Sequence, residues 1–363
     1  MSSLKDIVMV MPKFSGGGAE RIYTTLANEL SAFYRVTLFQ ERGFESQYTI
    51  HDRVVRKELY SRISGLPKNL SYAITILFSC HKNSLLLLFM CDKYLLMLLI
   101  SLRSDLCVIV SQRNDIKELS SRRMVLIIRE LLLQRSNLIV CQTTDQLLSN
   151  KKEHYSKSLI ISNFVKDDLP VRENANKTII TFCRLTEQKN LNMLVDSMVM
   201  SHENYPQYDC RIYGQGELKD KLNEHIVAMN ADKYIEILPY ESNVHKYAAN
   251  CFCYVSTSDY EGISNSMLEA MAIGLPVVCT DCDGGGARDV IDNGVNGILI
   301  EKKNKKQLVQ TLCMLATQPD TARKLGEEAK KVKYDYSKTK IVNEWVVNIN
   351  ECWNRAYYAK HKA

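Results

Sequence analysis

The 363-residue chain predicts an α/β protein built from two doubly wound halves. Three observations lead there. Apolar runs of strand length alternate with helical patterns through both halves, a loosely patterned polar stretch from Lys166 to Lys177 separates them, and glycine-rich turns open from predicted strands. A chain of this length exceeds one ordinary core, so two domains of roughly 150 to 200 residues follow.

In the first half, Ile7 to Met11 reads as a buried strand, Pro12 to Gly18 as a loop and Ala19 to Leu30 as a helix, with Val36 to Gln40 returning to strand composition. Apolar segments Leu85–Met90, Leu106–Val110 and Leu138–Cys141 then alternate with helical patterns at Tyr94–Leu102, Arg122–Gln134 and Thr144–Asn150. That order favours parallel strands joined by crossover helices. The second half repeats it. Strands are predicted at Thr178–Cys183, Tyr208–Tyr213, Ile235–Leu238, Cys251–Ser256, Val277–Thr280 and Ile298–Ile300. Helices are predicted at Asn190–Met200, Leu218–Met229, Val244–Ala249 and 264–273, followed by Lys306–Ala316, Asp320–Val332 and a long one from Thr339 to about Ala359. In the last, Trp345, Ile349, Trp353 and Tyr357 fall on one stripe, the spacing of a core-facing surface.

Composition narrows the class. Hydrophobic residues at 46% and charged residues at 24% describe an ordinary globular protein. Ile7 to Met11 is too short for a signal segment, so export is not expected. The lipid-like run Ser84 to Ile100 is broken by Asp92 and Lys93, and reads as a strand followed by a helix. Twelve cysteines without a C-x-x-C framework suit reduced thiols in a cytosolic protein. The net charge of +6 gathers in the first half. Arg53, Arg56, Lys57, Arg62 and Lys68 lie close together, and Arg122, Arg123, Arg129 and Arg135 surround apolar Met124–Ile128 and Leu131–Leu133. Such a half would lie against an anionic membrane or form a solvated basic face.

The most informative stretch is Ser258-Asp-Tyr-Glu261-Gly-Ile-Ser264-Asn265-Ser266-Met-Leu-Glu269-Ala-Met-Ala-Ile-Gly274. Two carboxylates flank seven residues, and a helix beginning near Ser264 would offer its first-turn N–H groups to a diphosphate while Glu269 reaches sugar-like hydroxyls. Arg184 and Lys189 follow a strand and would converge on one phosphate, or stand as surface cations. Gly16-Gly17-Gly18 sits at a strand-to-helix turn that either approaches an anion or simply turns tightly; Arg21 spoils a dinucleotide fingerprint there, and no Walker lysine follows. Gly214, in Tyr213-Gly-Gln-Gly216, admits a ligand edge or reverses the chain, and Gly284 to Gly286 repeats the topology. Seven histidines form no H-E-x-x-H arrangement and Asp281 and Asp283 have no neighbouring histidine, so no metal is expected.

These residues resemble family 4 of the retaining glycosyltransferases, including bacterial capsule and O-antigen polysaccharide enzymes. The resemblance rests on Glu261 to Gly297, with supporting matches at Gly16 to Arg21, Arg184 to Lys189 and Tyr213 to Gly216. It implies a GT-B fold, two Rossmann-like domains facing each other across a cleft. Residues 1–168 would form the acceptor and membrane side, 169–338 the nucleotide-sugar domain, and 339–363 a helix and tail returning to the first domain, although the long helix would equally finish the second. By similarity Glu261, Arg184 and Lys189 serve catalysis. Glu269, Gly214, Ser264, Asn265 and Ser266 hold the donor, Glu269 on its ribose, and Gly16, Gly17, Gly18 and Arg113 face phosphate or acceptor. Arg113 stands in Val110-Ser-Gln-Arg-Asn-Asp115, where many relatives carry a histidine; its high pKa excludes general-base chemistry.

The implied reaction transfers a hexose or N-acetylhexosamine from a UDP-sugar, with retained configuration, to a glycan hydroxyl. The acceptor would be polyprenyl-diphosphate-linked or a free oligosaccharide, in surface polysaccharide or lipopolysaccharide assembly on the inner face of a bacterial membrane. No cofactor, metal or nucleic-acid partner is implied. Two rivals stand: a glycoside hydrolase or phosphorylase, separated by donor turnover without acceptor and with or without phosphate, and a non-catalytic nucleotide-sugar-binding membrane scaffold, which would bind donor without forming product.

Overall fold

The structure, a computed structural model, describes residues 4, 6–11, 18–43, 48–59, 67–81, 84–90, 94–113, 123–172 and 175–361. Contacts divide the chain into one unit of Met1–Ser162 with Thr339–Ala363 and a second of Asn163–Lys338.

In the first unit, β1 (Asp6–Met11), β2 (Arg35–Glu41), β3 (Val55–Leu59), β4 (Leu85–Met90), β5 (Cys107–Gln112), β6 (Leu138–Cys141) and β7 (Ser158–Ile160) form a parallel sheet of order β3-β2-β1-β4-β5-β6-β7. Its helices are α1 (Gly18–Leu30), α2 (Lys68–Ser79), α3 (Tyr94–Ser101), α4 (Arg123–Arg135) and α5 (Thr144–Leu148). Central strands covered on both faces need apolar residues throughout, and Leu85 to Leu88 and Val108 to Val110 are fully enclosed. Strand β3 escapes the apolar criterion because it is an edge. It pairs only with β2, exposes four of its five residues and carries Arg56, Lys57 and Glu58, charges that discourage a further strand from adding there.

The basic residues of the first half divide between surface and interior, with Arg53, Arg56, Lys57, Lys68 and Arg123 exposed. Arg56 and Lys57 belong to the edge strand, Lys68 pairs with Glu41, Arg129 is buried and donates to Asn150 Oδ1 at 2.7 Å, and Arg135 donates to the Arg103 carbonyl at 2.9 Å. Burial pushes the Arg129 pKa down. Arg62 and Arg122 lie outside the described residues.

The second unit holds β8 (Thr178–Phe182), β9 (Asp209–Tyr213), β10 (Ile235–Leu238), β11 (Cys253–Ser256), β12 (Val277–Asp281) and β13 (Ile298–Glu301), again all parallel, in order β10-β9-β8-β11-β12-β13. Its helices are α6 (Leu191–His202), α7 (Lys219–Ala228), α8 (Val244–Ala248), α9 (Asn265–Ile273), α10 (Lys305–Thr317), α11 (Pro319–Ala329) and α12 (Val332–Asp335). One predicted helix is really two. Lys330 and Lys331 make a turn between α11 and α12, where the Lys331 N–H bonds back only three residues, to Glu328.

The unit boundary falls before Asn163, earlier than the expected Asp168. Asn163 donates to the Ile263 carbonyl and to Asn265 Oδ1, and the Val165 N–H bonds the Tyr336 carbonyl, which tie this segment to the second sheet. The last helix, α13 (Lys338–His361), packs mostly in the first unit. Trp345, Ile349, Cys352 and Trp353 are buried, Trp345 stacks on Phe89 of β4 at 6.1 Å, and Cys352 Sγ lies 3.6 Å from Cys107 Sγ of β5. No disulfide joins the described cysteines. Among the described residues, no helix is long and apolar enough to cross a membrane.

Candidate active site

Four loops leave the carboxyl ends of neighbouring parallel strands in the second unit. They follow β8 (Arg184 to Lys189), β9 (Gly214 to Gly216), β11 (Thr257 to Ser264) and β12 (Gly284 to Gly286). Strand β8 is paired with β9 on one side and β11 on the other, so the order reverses there, and the gap outside such a switch point is where open sheets place ligands.

Lys189 and Glu261 meet at this point as an ion pair between the loops after β8 and β11. Lys189 is buried and Glu261 half-buried, with Ser258 Oγ donating to Glu261 Oε2 at 3.4 Å. Burial alone would push the Lys189 ammonium down, but the adjacent Glu261 carboxylate outweighs it and raises the pKa. The loops are fastened by further bonds. Asn190 takes the left-handed conformation asparagine tolerates and donates to Asp259 Oδ1 at 3.1 Å; Thr257 Oγ1 donates to the Lys189 carbonyl at 2.9 Å, and Gln188 Nε2 to the Tyr260 carbonyl at 2.8 Å. Arg184 is exposed, its guanidinium 3.4 Å from Gln188 Oε1.

Helix α9 begins four residues beyond Glu261. Ser264 caps it, accepting from the Met267 N–H, and Ser266 Oγ lies 3.0 Å from Ser264 Oγ and 2.9 Å from the Tyr254 hydroxyl. Asn265 is held by Asn163. Glu269 is buried one turn in, where His245 Nε2 of α8 donates to its Oε2 at 2.8 Å, and Gly274 closes the helix at φ +100°.

The glycines turn out to brace the site through backbone contact. A Cβ at Gly214 would lie 1.9 Å from the Cys183 carbonyl oxygen, so this residue lets the turn after β9 press on the loop bearing Arg184. A Cβ at Gly286 would meet the Gly262 carbonyl at 1.7 Å, and the Glu261 N–H bonds the Asp283 carbonyl at 2.8 Å, seating the Glu261 loop against the end of β12.

The structure pairs Lys189 with Glu261, places Arg184 beside Gln188 on the same loop, and sets Ser264 and Ser266, Asn265, and Glu269 on the helix that follows in chain order, each with its own partners. Gly18 opens α1 in the first unit; Gly16 and Gly17 lie outside the described residues. Arg113 follows β5 in that unit, its guanidinium 4.2 Å over the Phe89 ring, and burial pushes its pKa down to about 9. Sequence reasoning missed His245, Gln188, Thr257 and Asn163. A hydroxyl pair directly before Asp259 was a visible signal for Thr257 and Ser258, whereas a lone histidine on a five-residue helix offers no spacing to read.

Comparison with known proteins starts from the fold. The crystal structure of Anabaena HepE in complex with UDP and glucose shares it, with a TM-score of 0.81 at 15% identity over 94% of this chain and 98% of that one. The protein is therefore of the class with two parallel-sheet, Rossmann-like halves found in GT-B structures. Residues 166–332 match the family of glycosyl transferases group 1, and this segment is a glycosyl transferases group 1 domain. Among curated relatives, the poly(glycerol-phosphate) alpha-glucosyltransferase of Bacillus subtilis is 29% identical over 172 residues, 47% of this chain and 25% of that protein. The N-acetylgalactosamine-N,N'-diacetylbacillosaminyl-diphospho-undecaprenol 4-alpha-N-acetylgalactosaminyltransferase of Campylobacter jejuni is 28% identical over 169 residues, 47% of this chain and 45% of that protein. The aligned stretch spans less than half the length of either relative.

Proposed function

We propose that the protein is a retaining glycosyltransferase that moves a hexose or N-acetylhexosamine from a UDP-sugar to a hydroxyl of a glycan acceptor. The observation that carries this is the Lys189–Glu261 pair at the sheet's switch point, three residues from the capped start of a helix bearing a buried carboxylate. First-turn N–H groups of a helix lack intrahelical acceptors and favour phosphate. Lys189 and Arg184 add positive charge beside them, so charge gathering on a departing diphosphate is stabilised. Glu261 holds Lys189 in place and accepts from donor-sugar hydroxyls, while Glu269 accepts from the ribose. A diphosphate oxygen on the same face takes the acceptor's proton as the new glycosidic bond forms and the sugar–phosphate bond breaks. No protein nucleophile and no metal is assigned a step.

A polyprenyl-diphosphate-linked acceptor is supported by the name of the Campylobacter relative. Peripheral attachment to the inner face of a bacterial membrane is supported by exposed Met124, Ile127 and Leu131 along one side of α4, next to exposed Arg123. The test is a donor screen with purified membranes as acceptor source, followed by NMR of the anomeric product. A retained product from a UDP-sugar is expected. An inverted product, an absolute divalent-metal requirement, or donor hydrolysis without transfer would each sink the reading.

A further inference from the structure

Helix α8 is five residues long, yet it delivers one ring into the donor-side helix. His245 and Glu269 are 9% and 7% exposed, their contact is 2.8 Å, and the Phe182 ring of β8 packs edge-on against the imidazole at 5.8 Å. A buried carboxylate is costly unless its oxygens are hydrogen-bonded, and its direction is set by whichever donor holds it. Packing against Phe182 limits the ring's freedom, so the direction of the Nε2–H bond is fixed by both neighbours.

We propose that His245 is a positioning residue for nucleotide recognition: it aims the Glu269 carboxylate so that it accepts from the vicinal hydroxyls of a ribose. This rests on the donor-site reading above. The carboxylate is the group that would touch the ligand, and His245 acts only through it. Two acceptor oxygens matched to two neighbouring O–H donors form a geometric fit, and a site arranged to hydrogen-bond hydroxyls rejects analogues that lack them. The same carboxylate, turned by one rotamer, loses that match while keeping its charge.

The experiment titrates UDP, GDP and ADP into the full chain by calorimetry, then repeats the tightest with its 2′,3′-dideoxyribose form. The wild type is expected to prefer the ribose form at least tenfold. His245→Ala should shrink the preference to within threefold, and His245→Gln, whose amide N–H reaches as far as Nε2, should restore most of it. Combining His245→Ala with Glu269→Gln should cost no more preference than Glu269→Gln alone. A full preference in His245→Ala overturns the proposal, as does an equal loss of affinity for both forms, the mark of a merely structural role. Should His245→Ala not fold, His245→Leu, which fills the space without an N–H donor, takes its place: a preference shrunk to within threefold supports the proposal, and a full preference overturns it. If the wild type binds no nucleoside diphosphate, or Glu269→Gln keeps the preference, the donor-site reading fails; if only His245→Ala or His245→Leu keeps the wild-type preference, that reading survives and this one does not.

Discussion

Both units use a parallel sheet with a strand-order reversal, but they treat buried charge differently. The second matches cation to anion in Lys189 with Glu261 at the carboxyl ends of its strands, and on the helix behind them a hydrogen bond joins His245 to Glu269. In the first, buried Arg129 donates to the neutral Asn150 amide, Arg113 lies over the Phe89 ring, and Arg103 pairs with Asp105. A matched pair is locked in direction and resists change of either partner, whereas a neutral amide answers a buried guanidinium with a dipole only. One architecture thus holds a buried cation against either a carboxylate or an amide.

The sharpest way to break the contrast is Lys189→Ala. Removing one partner of a buried pair leaves the other charge uncompensated, so unfolding by urea should show a loss of about 3 kcal/mol, and transfer should fall by about 100-fold or more. An unaltered midpoint would mean that the pair is not the lock described. Arg113→Lys tests the other unit at smaller scale. Lysine cannot stack its charge as a planar group, so about 1 kcal/mol of the ring interaction should go, visible in the unfolding midpoint, while UDP affinity stays within twofold. A large drop in that affinity would erase the distinction between the units.

An effect of similar size belongs to an outlying trio in the second unit, where His225 Nε2 donates to Asp196 at 2.7 Å and Lys305 pairs with the same carboxylate. Burial alone would raise the Asp196 pKa, but the bonds from Lys305 and His225 lower it. A lowered carboxylate pKa adds stability above its unfolded value, near 4, that is lost as pH falls through the folded one. Asp196→Asn should cost about 1 kcal/mol at pH 7 and flatten the decline below pH 4. Unfolding curves at pH 7 and pH 3 measure both, and an undiminished decline in the variant would assign the acid sensitivity elsewhere.

Much of the fold was legible in the sequence because buried parallel strands must be apolar on both faces, which marks Leu85–Met90 and Val277–Thr280. Strand β3 was not, since a charged edge strand lacks that signature. The boundary at Asn163 was hidden because it depends on bonds to residues a hundred positions away. Within the site, Glu261, Lys189 and Glu269 declared themselves through spacing from strand ends and a helix start. His245 did not, because its partner is found only when α8 and α9 pack together. The role of the glycines was equally hidden. Gly214 and Gly286 read as turns that admit a ligand edge or reverse the chain, and the space left by their missing side chains takes the protein's own carbonyls.

Trp345, Ile349 and Cys352 fill the interior of a sheet whose strands all precede residue 163. During synthesis, every residue of the second unit leaves the ribosome before these three do. The second unit can therefore complete its core first, while the earlier-made strands wait with an apolar groove uncovered. That interval is the nascent chain's period of greatest vulnerability to aggregation, and its length is governed by how quickly translation runs from residue 163 to residue 352.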